Sequence, residues 1–411
     1  MSNGLAMRLL VLSDLHANTT VPDGGGAASL SFHGSAQGVD RMFGGIAPAL
    51  AAAGVEDIDA VVVPGDLTDK CDPTALAGVW ARLCGLSDEL GAELLATAGN
   101  HDLQSRAADG SQPNSHLMAL EPHFPIRDKL SHANYFAYHF VRTSVGEHTA
   151  VVLNSAALGG YSGPEGDEFR HGRVTADGMK RLRTELNDAP SSGVRLLVVH
   201  HHPVQLPNID LNEKSAIRDA ELLLEVMQDD GPWLVIHGHK HRPFIHYAPG
   251  GGGSAVLFSA GSFSAGLDGV LAQSTKNQFY VIDVLDDEAS DAMGLGASGT
   301  FRAWSYSPMV GQAWVPSGVT DGLPARGGFG WRTDPTHLAR RLIQFARDRN
   351  TDTSWEELTA FEPRLVHLAP ADFDRVVHRL RRPAELLDVR IDSEGALDRI
   401  GLMTEVAGQH V

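Results

Sequence analysis

Cysteine is nearly absent from this 411-residue chain, which holds only Cys71 and Cys84. Two thiols cannot build a disulfide framework or a zinc knuckle. Both read as small buried residues, in keeping with a reducing compartment. Long apolar runs are missing as well. No stretch reaches the roughly 20 residues that a membrane-spanning helix needs. Met1 to Met7 has no basic segment followed by an apolar one, so no signal peptide is expected. The expected location is therefore the cytoplasm, with no membrane association. Positive charge is scarce: 33 Lys and Arg stand against 51 Asp and Glu, for a formal net charge of −18. That balance weighs against long nucleic acid as a partner, because polyanion affinity rests on Lys and Arg that neutralise phosphates. A small phosphate ester stays open, since bound metal ions can supply local positive charge.

What is present is a repeated grammar. Arg8 to Leu12, Ile58 to Val63, Glu93 to Thr97, Val151 to Leu153, Arg195 to Val199 and Trp233 to Ile236 are short apolar runs, each followed by Asp, Asn or His. They read as buried strands with polar C-terminal ends. Helical patterns lie between several of them, over Arg41 to Ala53, Pro73 to Leu90, Thr175 to Asn187 and Ser215 to Gln228. Alternating strands and helices imply an α/β sheet flanked by helices, with ligands at the carboxyl ends of the strands. Later strands at Ala255 to Ser259, Gln278 to Val284 and Thr300 to Ser305 come without helices between them. They are expected to form the second sheet of a two-sheet sandwich. The expected division is a catalytic domain over 7–310, a Gly/Pro-rich linker over 311–330, and a mostly helical C-terminal domain over 331–411. From residue 327 onward twelve arginines balance fourteen acidic residues, so the acidity belongs to the first domain.

The histidines carry the chemistry: there are 20, several in clusters. Taken singly, Asp14-Leu15-His16 reads as a strand end and Gly65-Asp66 as a turn. Taken together, Asp14, His16, Asp66, Asn100, His101, His201, His239 and His241 offer carboxylate, amide and imidazole donors. That mixture suits two transition-metal ions, Mn or Fe before Zn. Two such ions about 3.5–4 Å apart can clamp a phosphate for in-line displacement.

Five motifs in this order resemble the calcineurin-like metallophosphoesterases, over about Arg8 to Ser305. They are Asp14-x-His16, Gly65-Asp66-Leu67-Thr68-Asp69, Gly99-Asn100-His101-Asp102, His201-x-Pro203, and Gly238-His239-Lys240-His241. The resemblance implies that Asp14, His16 and His241 bind one ion, that Asn100, His201 and His239 bind the other, and that Asp66 bridges them. It implies that His101 acts on the phosphate, that Asp69 orients His101, and that a bridging hydroxide attacks. His200 and His202 flank the implied ligand and are expected either to support the ligands from behind or face substrate, or to be simply solvated. His237 is expected to be structural, and His171, His246, His337, His367 and His378 to be surface or packing residues. Arg106 reads as a loop arginine within reach of substrate or solvent.

The motif forms are closest to the cyclic-nucleotide phosphodiesterase branch, which makes a small phosphodiester the expected substrate. Phosphomonoesters and nucleic acids are the alternatives within the family. A reading from another class makes the chain an interaction component of a larger assembly. The tail motivates it: Leu338, Leu342, Phe345, Phe373, Val376, Val377 and Leu380 lie at helical spacing. Such a tail could pack on the core, form a homo-oligomer, or recruit a protein partner.

Overall fold

In the computed structural model the apolar runs become strands of two stacked sheets. The structure describes residues 4–19, 37–104, 112–159, 171–206, 215–251, 253–267, 269–307, 313–349, 351–381, 387–392 and 397–402. In chain order the strands are β1 (Leu5–Val11), β2 (Ala60–Val63), β3 (Glu93–Ala96), β4 (Phe140–Val145), β5 (His148–Leu153), β6 (Arg195–Val199), β7 (Leu234–His237), β8 (Phe244–Tyr247), β9 (Val256–Ser259), β10 (Gln278–Leu285), β11 (Gly299–Ser307), β12 (Ala313–Pro316), β13 (Arg326–Phe329), β14 (Thr353–Ser354), β15 (Leu387–Ile391) and β16 (Leu397–Leu402). One sheet runs β12-β11-β10-β1-β2-β3, with β13 also on β11; the other runs β4-β5-β6-β7-β9-β8. β1, β2 and β3 are parallel, as are β5, β6, β7 and β9.

Side chains alternate between two cores, as a pleated strand requires. Val152, Val198, Ile236 and Phe258 join the core shared with the first sheet. Val151, Leu153, Leu197, Val199, Val235 and Leu257 point the other way. They meet Met179, Leu182 and Leu186 of helix Ala176–Asp188, and Leu223, Val226 and Met227 of helix Ala220–Asp230. Helix Pro73–Leu90 shows why one segment starts and stops where it does. Asp72 accepts from the amides of Thr74 and Ala75 at 3.0 Å, Pro73 opens the first turn, and Gly91 closes the helix in the left-handed region. Its Leu76, Val79, Trp80 and Leu83 recur every three or four residues and are buried.

Three features depart from the sequence reading. First, the late strands do not build the second sheet. β9 lies parallel to β7, whereas β10 runs antiparallel along the free edge of β1 and carries β11 with it. Second, the segment 311–330, expected as a linker, supplies β12 and β13 to the first sheet. Trp314 is the reason: it is buried, and its indole donates to the Met42 carbonyl at 2.8 Å. It also rests on Gly45, where the expected helix over Arg41 to Ala53 divides into Gln37–Gly44 and Ile46–Ala52. Third, the mostly helical C-terminal region also holds a sheet.

That region has helices Pro335–Arg349, Trp355–Phe361 and Pro370–Arg381 beside a sheet of order β14-β16-β15. Leu338, Leu342, Leu358, Val376, Leu380 and Ile400 form its core. It packs on the catalytic region. The His367 ring donates to the Gly299 carbonyl at 3.1 Å. The Arg332 guanidinium lies 4.2 Å from the centre of the Tyr247 ring. A cavity of about 680 Å³ remains between the two regions, with Phe244 and Phe301 on one wall and Trp355 and Phe373 on the other. Among the described residues no helix is long and apolar enough to cross a membrane.

Candidate metal centre

Loops after β1, β2, β3, β6 and β7 meet at one end of the sandwich. Backbone contacts stitch them together. Asp14 N–H donates to the Gly65 carbonyl at 3.2 Å, His16 N–H to Asp66 at 3.0 Å, and Gly238 N–H to His200 at 3.1 Å. Carboxylates add to the stitching: Asp14 accepts from His239 N–H at 3.0 Å, and Asp66 from His101 N–H at 2.8 Å. The approach is close. A Cβ at Gly99 would lie 2.1 Å from the Asp66 carboxylate, and one at Gly238 would lie 2.2 Å from that of Asp14, so only glycine fits either position.

The side chains fall into two donor groups. Asp14, His16 and His241 present ligand atoms within 4.8 Å of one another, and so do His200, His201 and His239. Asp66 lies between them, its Oδ2 3.6 Å from His16 Nε2 and 3.4 Å from His200 Nε2. Asn100 Oδ1 is 3.2 Å from the same His200 nitrogen. The seven residues read as ligands are therefore gathered in one place. Their chemistry fits two cations. Asp14 and Asp66 are buried carboxylates, while His16 Nε2, His201 Nε2 and His241 Nδ1 are buried without a hydrogen-bond partner. Such atoms are costly unless something binds them. Asp14, His16, Asp66, His239 and His241 also adopt positive φ, between 45° and 79°. Strain of that kind persists where function requires it.

Electrostatics agree. Burial raises the Asp14 carboxyl above its usual range. Burial pushes Asp66 the same way, but the His200 and His101 imidazoles beside it hold it well below that range. Burial lowers His16 and His241 to about 4, and lowers His201 and His239 well below the usual imidazole range. These rings are thus neutral, the form that ligates metal. His101 behaves differently. Burial opposes its charged form, yet Asp66 and then the hydrogen bond to Asp69 raise it to about 9. Its Nδ1 is 3.0 Å from Asp69 Oδ1. The Asp69 side chain and the His101 ring are partly exposed, and Lys70 beside Asp69 is largely exposed. The centre opens to a cleft of about 370 Å³ lined by Asn100, His101, Lys240, Arg242 and Leu271.

Several participants were not singled out from the sequence. Ser155 Oγ lies 2.8 Å from His201 Nδ1, after β5, and nothing in the sequence marks it. Asp102 did have a signal, as the last residue of Gly99-Asn100-His101-Asp102. It accepts from Gly99 N–H at 2.8 Å and Thr68 N–H at 2.9 Å, and burial and then Asp66 raise its carboxyl to about 6. His200 enters the donor set; His202 does not. Both His202 nitrogens are 2.9 Å from partners, the Val204 carbonyl and Ser215 Oγ. His237 is buried behind the centre, and His171 is buried near enough to His201 to affect it. Arg106 lies outside the described residues.

Comparison with known proteins adds the following. A family model described as calcineurin-like phosphoesterase matches residues 7–243, and one described as wHTH-Calcineurin_assc matches residues 327–382. The chain is 26% identical over 184 residues to a cAMP/cGMP dual specificity phosphodiesterase of Mycobacterium tuberculosis, covering 44% of this chain and 48% of that one. It thus spans about half the length of that relative. It is 25% identical over 286 residues to a protein of Rhodococcus erythropolis described as a "probable cyclic nucleotide phosphodiesterase", covering 69% and 76%. Among solved structures, a dimetal phosphatase from Danio rerio matches at 11% identity with a TM-score of 0.47, covering 73% of this chain and 96% of that one.

Proposed function

Because this chain belongs to the calcineurin-like phosphoesterase family and is a metal-dependent phosphoesterase, we propose that its substrate is a small phosphodiester, first among them a cyclic nucleotide. Asp14, His16 and His241 would hold one ion, Asn100, His201 and His239 the other, and Asp66 both. The observation that carries this reading is the position of Asp66, a buried carboxylate between two groups of buried imidazoles. Bound there, two ions supply Lewis acidity and a water of lowered pKa. Oxygen and nitrogen donors without thiolate favour Mn or Fe, then Zn.

The chain's own residues do the rest. Asp69 holds the His101 ring by Nδ1, which leaves the other nitrogen to donate a proton to the leaving oxygen. Lys240 and Arg242 line the same cleft and offer positive charge to a phosphate despite the acidic chain. The names of the two curated relatives support a cyclic nucleotide. A net charge of −18 supports a small ester over long nucleic acid. The C-terminal region, which matches the winged-helix model, supports a bracing role over recruitment. Ala371, Phe373 and Asp374, at the start of helix Pro370–Arg381, line the cavity against the catalytic region.

The test is a substrate screen of the Mn-loaded full chain against cyclic nucleotides, an aryl phosphodiester, an aryl phosphomonoester and duplex DNA. Faster turnover of the diesters, abolished by chelator, is expected. A preference for the monoester or for long DNA would overturn the substrate assignment. Two bound ions with no hydrolysis of any ester would favour the interaction reading.

A further inference from the structure

Arg242 and Leu271 line the cleft of the metal centre, and they also line a second pocket beside it, of about 190 Å³. The two spaces meet at these side chains. None of the residues read as metal ligands lines the second pocket. Its volume is below the roughly 300 Å³ at which pockets begin to take a whole drug-sized ligand. It suits one ring of a molecule whose remainder lies in the cleft. The wall is closely built. Gly322 holds a φ of 120°, and a Cβ there would lie 2.5 Å from Pro243 and 2.8 Å from Thr275 Oγ1, so only glycine fits. At the junction of the two spaces the Arg242 carbonyl accepts from Ser259 Oγ at 2.7 Å, which ties its backbone to β9.

The hydroxyls of the pocket have one sense. Thr275 Oγ1 lies 3.1 Å from the Asp321 carbonyl and 3.2 Å from that of Lys276. Ser274 Oγ donates to the Val270 carbonyl at 3.0 Å. A hydroxyl has one hydrogen, and a carbonyl can only accept. With both hydrogens committed to backbone carbonyls, each oxygen has only lone pairs left for a ligand. Thr275 is buried, whereas Ser274 is exposed at the rim. A hydrogen bond accepted by Thr275 is therefore the better shielded from water, and the more costly to leave unmade. A ring with an N–H group at its edge is matched there; a ring that presents only acceptors is not.

We propose that this pocket is the subsite for the organic group of the substrate, and that it selects a nucleobase bearing an exocyclic amine. The phosphate lies in the cleft, with Arg242 at the junction. Phe244 and Leu271 supply apolar surface to the ring, and Thr275 accepts from its amine. The inference rests on the phosphodiester reading above and narrows it, from cyclic nucleotides in general to those of amino-bearing bases. Phe244 and Gly322 also line the cavity against the C-terminal region, so a change at either would disturb two places at once. Thr275 and Ser274 line the pocket alone and are the positions to change.

The test measures kcat/KM of the Mn-loaded full chain on three diesters: cyclic AMP, its analogue with hydrogen in place of the exocyclic amine, and a methyl aryl phosphodiester that has no base. The unsubstituted protein is expected to turn over the analogue about three- to tenfold less efficiently than cyclic AMP, the worth of one neutral hydrogen bond. Thr275→Val keeps the shape and removes the acceptor, and the Asp321 carbonyl still accepts from Lys276 N–H at 2.9 Å. This variant should lose that factor on cyclic AMP alone, which brings the two nucleotides level. Ser274→Trp fills the pocket. It should lower both nucleotides about tenfold or more and leave the aryl diester unchanged. Equal efficiencies for the two nucleotides on the unsubstituted protein, or equal losses on all three diesters in the variants, would overturn the subsite and leave the phosphodiester reading standing. Hydrolysis of none of the three would remove both. If a variant does not fold, the two nucleotides on the unsubstituted protein still decide.

Discussion

The metal centre and the C-terminal region are built on opposite terms. At the centre, five of the residues proposed as ligands adopt positive φ, and three of their ring nitrogens are buried without partners. In the C-terminal region no non-glycine residue with positive φ and no buried unpartnered side-chain polar atom occurs among the described residues. Its helices follow local rules. Asp334 accepts from Thr336 N–H at 2.7 Å, and Ser354 and Glu357 close a reciprocal cap on helix Trp355–Phe361. Glu362 gathers Arg341 and Arg364. Where every local choice agrees with the fold, the segment's work is to be stable. Where several disagree in one place, something outside the chain is required to settle them.

The strongest way to break this contrast is to change the centre and find that nothing is lost but packing. Asp66→Ala is expected to lower turnover about 10³-fold or more and to reduce bound metal, because this carboxylate lies between both donor groups. His101→Ala is expected to lower turnover about 10²–10⁴-fold with two ions retained, since its ring is held by Asp69 at the cleft. Metal analysis beside steady-state rates separates the two. A His101→Ala protein that loses its ions, or an Asp66→Ala protein that keeps both, would show that the residues are misassigned.

Much of the centre could be read in the sequence because the residues proposed as ligands follow apolar strands within a few positions, and a strand end limits where the next side chains can lie. Asp14, Asp66, Asn100 and His239 all follow that rule. His200 did not separate from its neighbours, since three consecutive histidines look alike until Pro64 and Ser155 distinguish their nitrogens. Ser155 had no signal, because its role depends on β5 lying beside β6. The sheet order was less legible for a similar reason. β9 and β10 are both apolar on both faces, and nothing local says that one joins β7 and the other joins β1. β13 was hidden by its glycines. Gly328 is required because a Cβ there would strike the Val366 carbonyl at 1.9 Å, a contact between regions that composition alone reads as a linker.

A milder challenge tests whether the C-terminal region is stable in its own right. Leu342 is buried in a core of its own, apart from the one between the sheets. Leu342→Ala is expected to destabilise that unit by about 2–5 kcal/mol. Urea unfolding followed by hydrogen exchange should show loss of protection in helices Pro335–Arg349 and Pro370–Arg381 first, with ion content unchanged. Simultaneous loss of the ions would mean that the two regions share one cooperative unit.

The smallest expected effect is in acid, and it sets the two regions against each other directly. In the C-terminal region Glu362 is buried. Its oxygens lie 2.7 Å from two nitrogens of Arg364 and 2.9 Å from one of Arg341. The hydrogen bonds from Arg364 come first among the causes that hold its carboxyl down at about 2, against an ordinary value of 4.5. A carboxyl depressed by folding contributes stability above its unfolded value, and that stability is lost as pH falls through the folded one. Its window is therefore about pH 4.5 to 2. The contribution is about 1–3 kcal/mol, since both arginines are about one-third exposed. At the centre, burial lowers His16 and His241 to about 4 from 6.5. There the unfolded chain takes up protons first, so stability and metal binding fall as pH drops from about 6.5 to 4. Hydrogen exchange across an acid series should thus open the loops of the centre at a higher pH than helix Trp355–Phe361. Glu362→Gln should leave the first transition in place and flatten the second. One coincident transition for both regions, unmoved by Glu362→Gln, would end the claim that they are stabilised by different means.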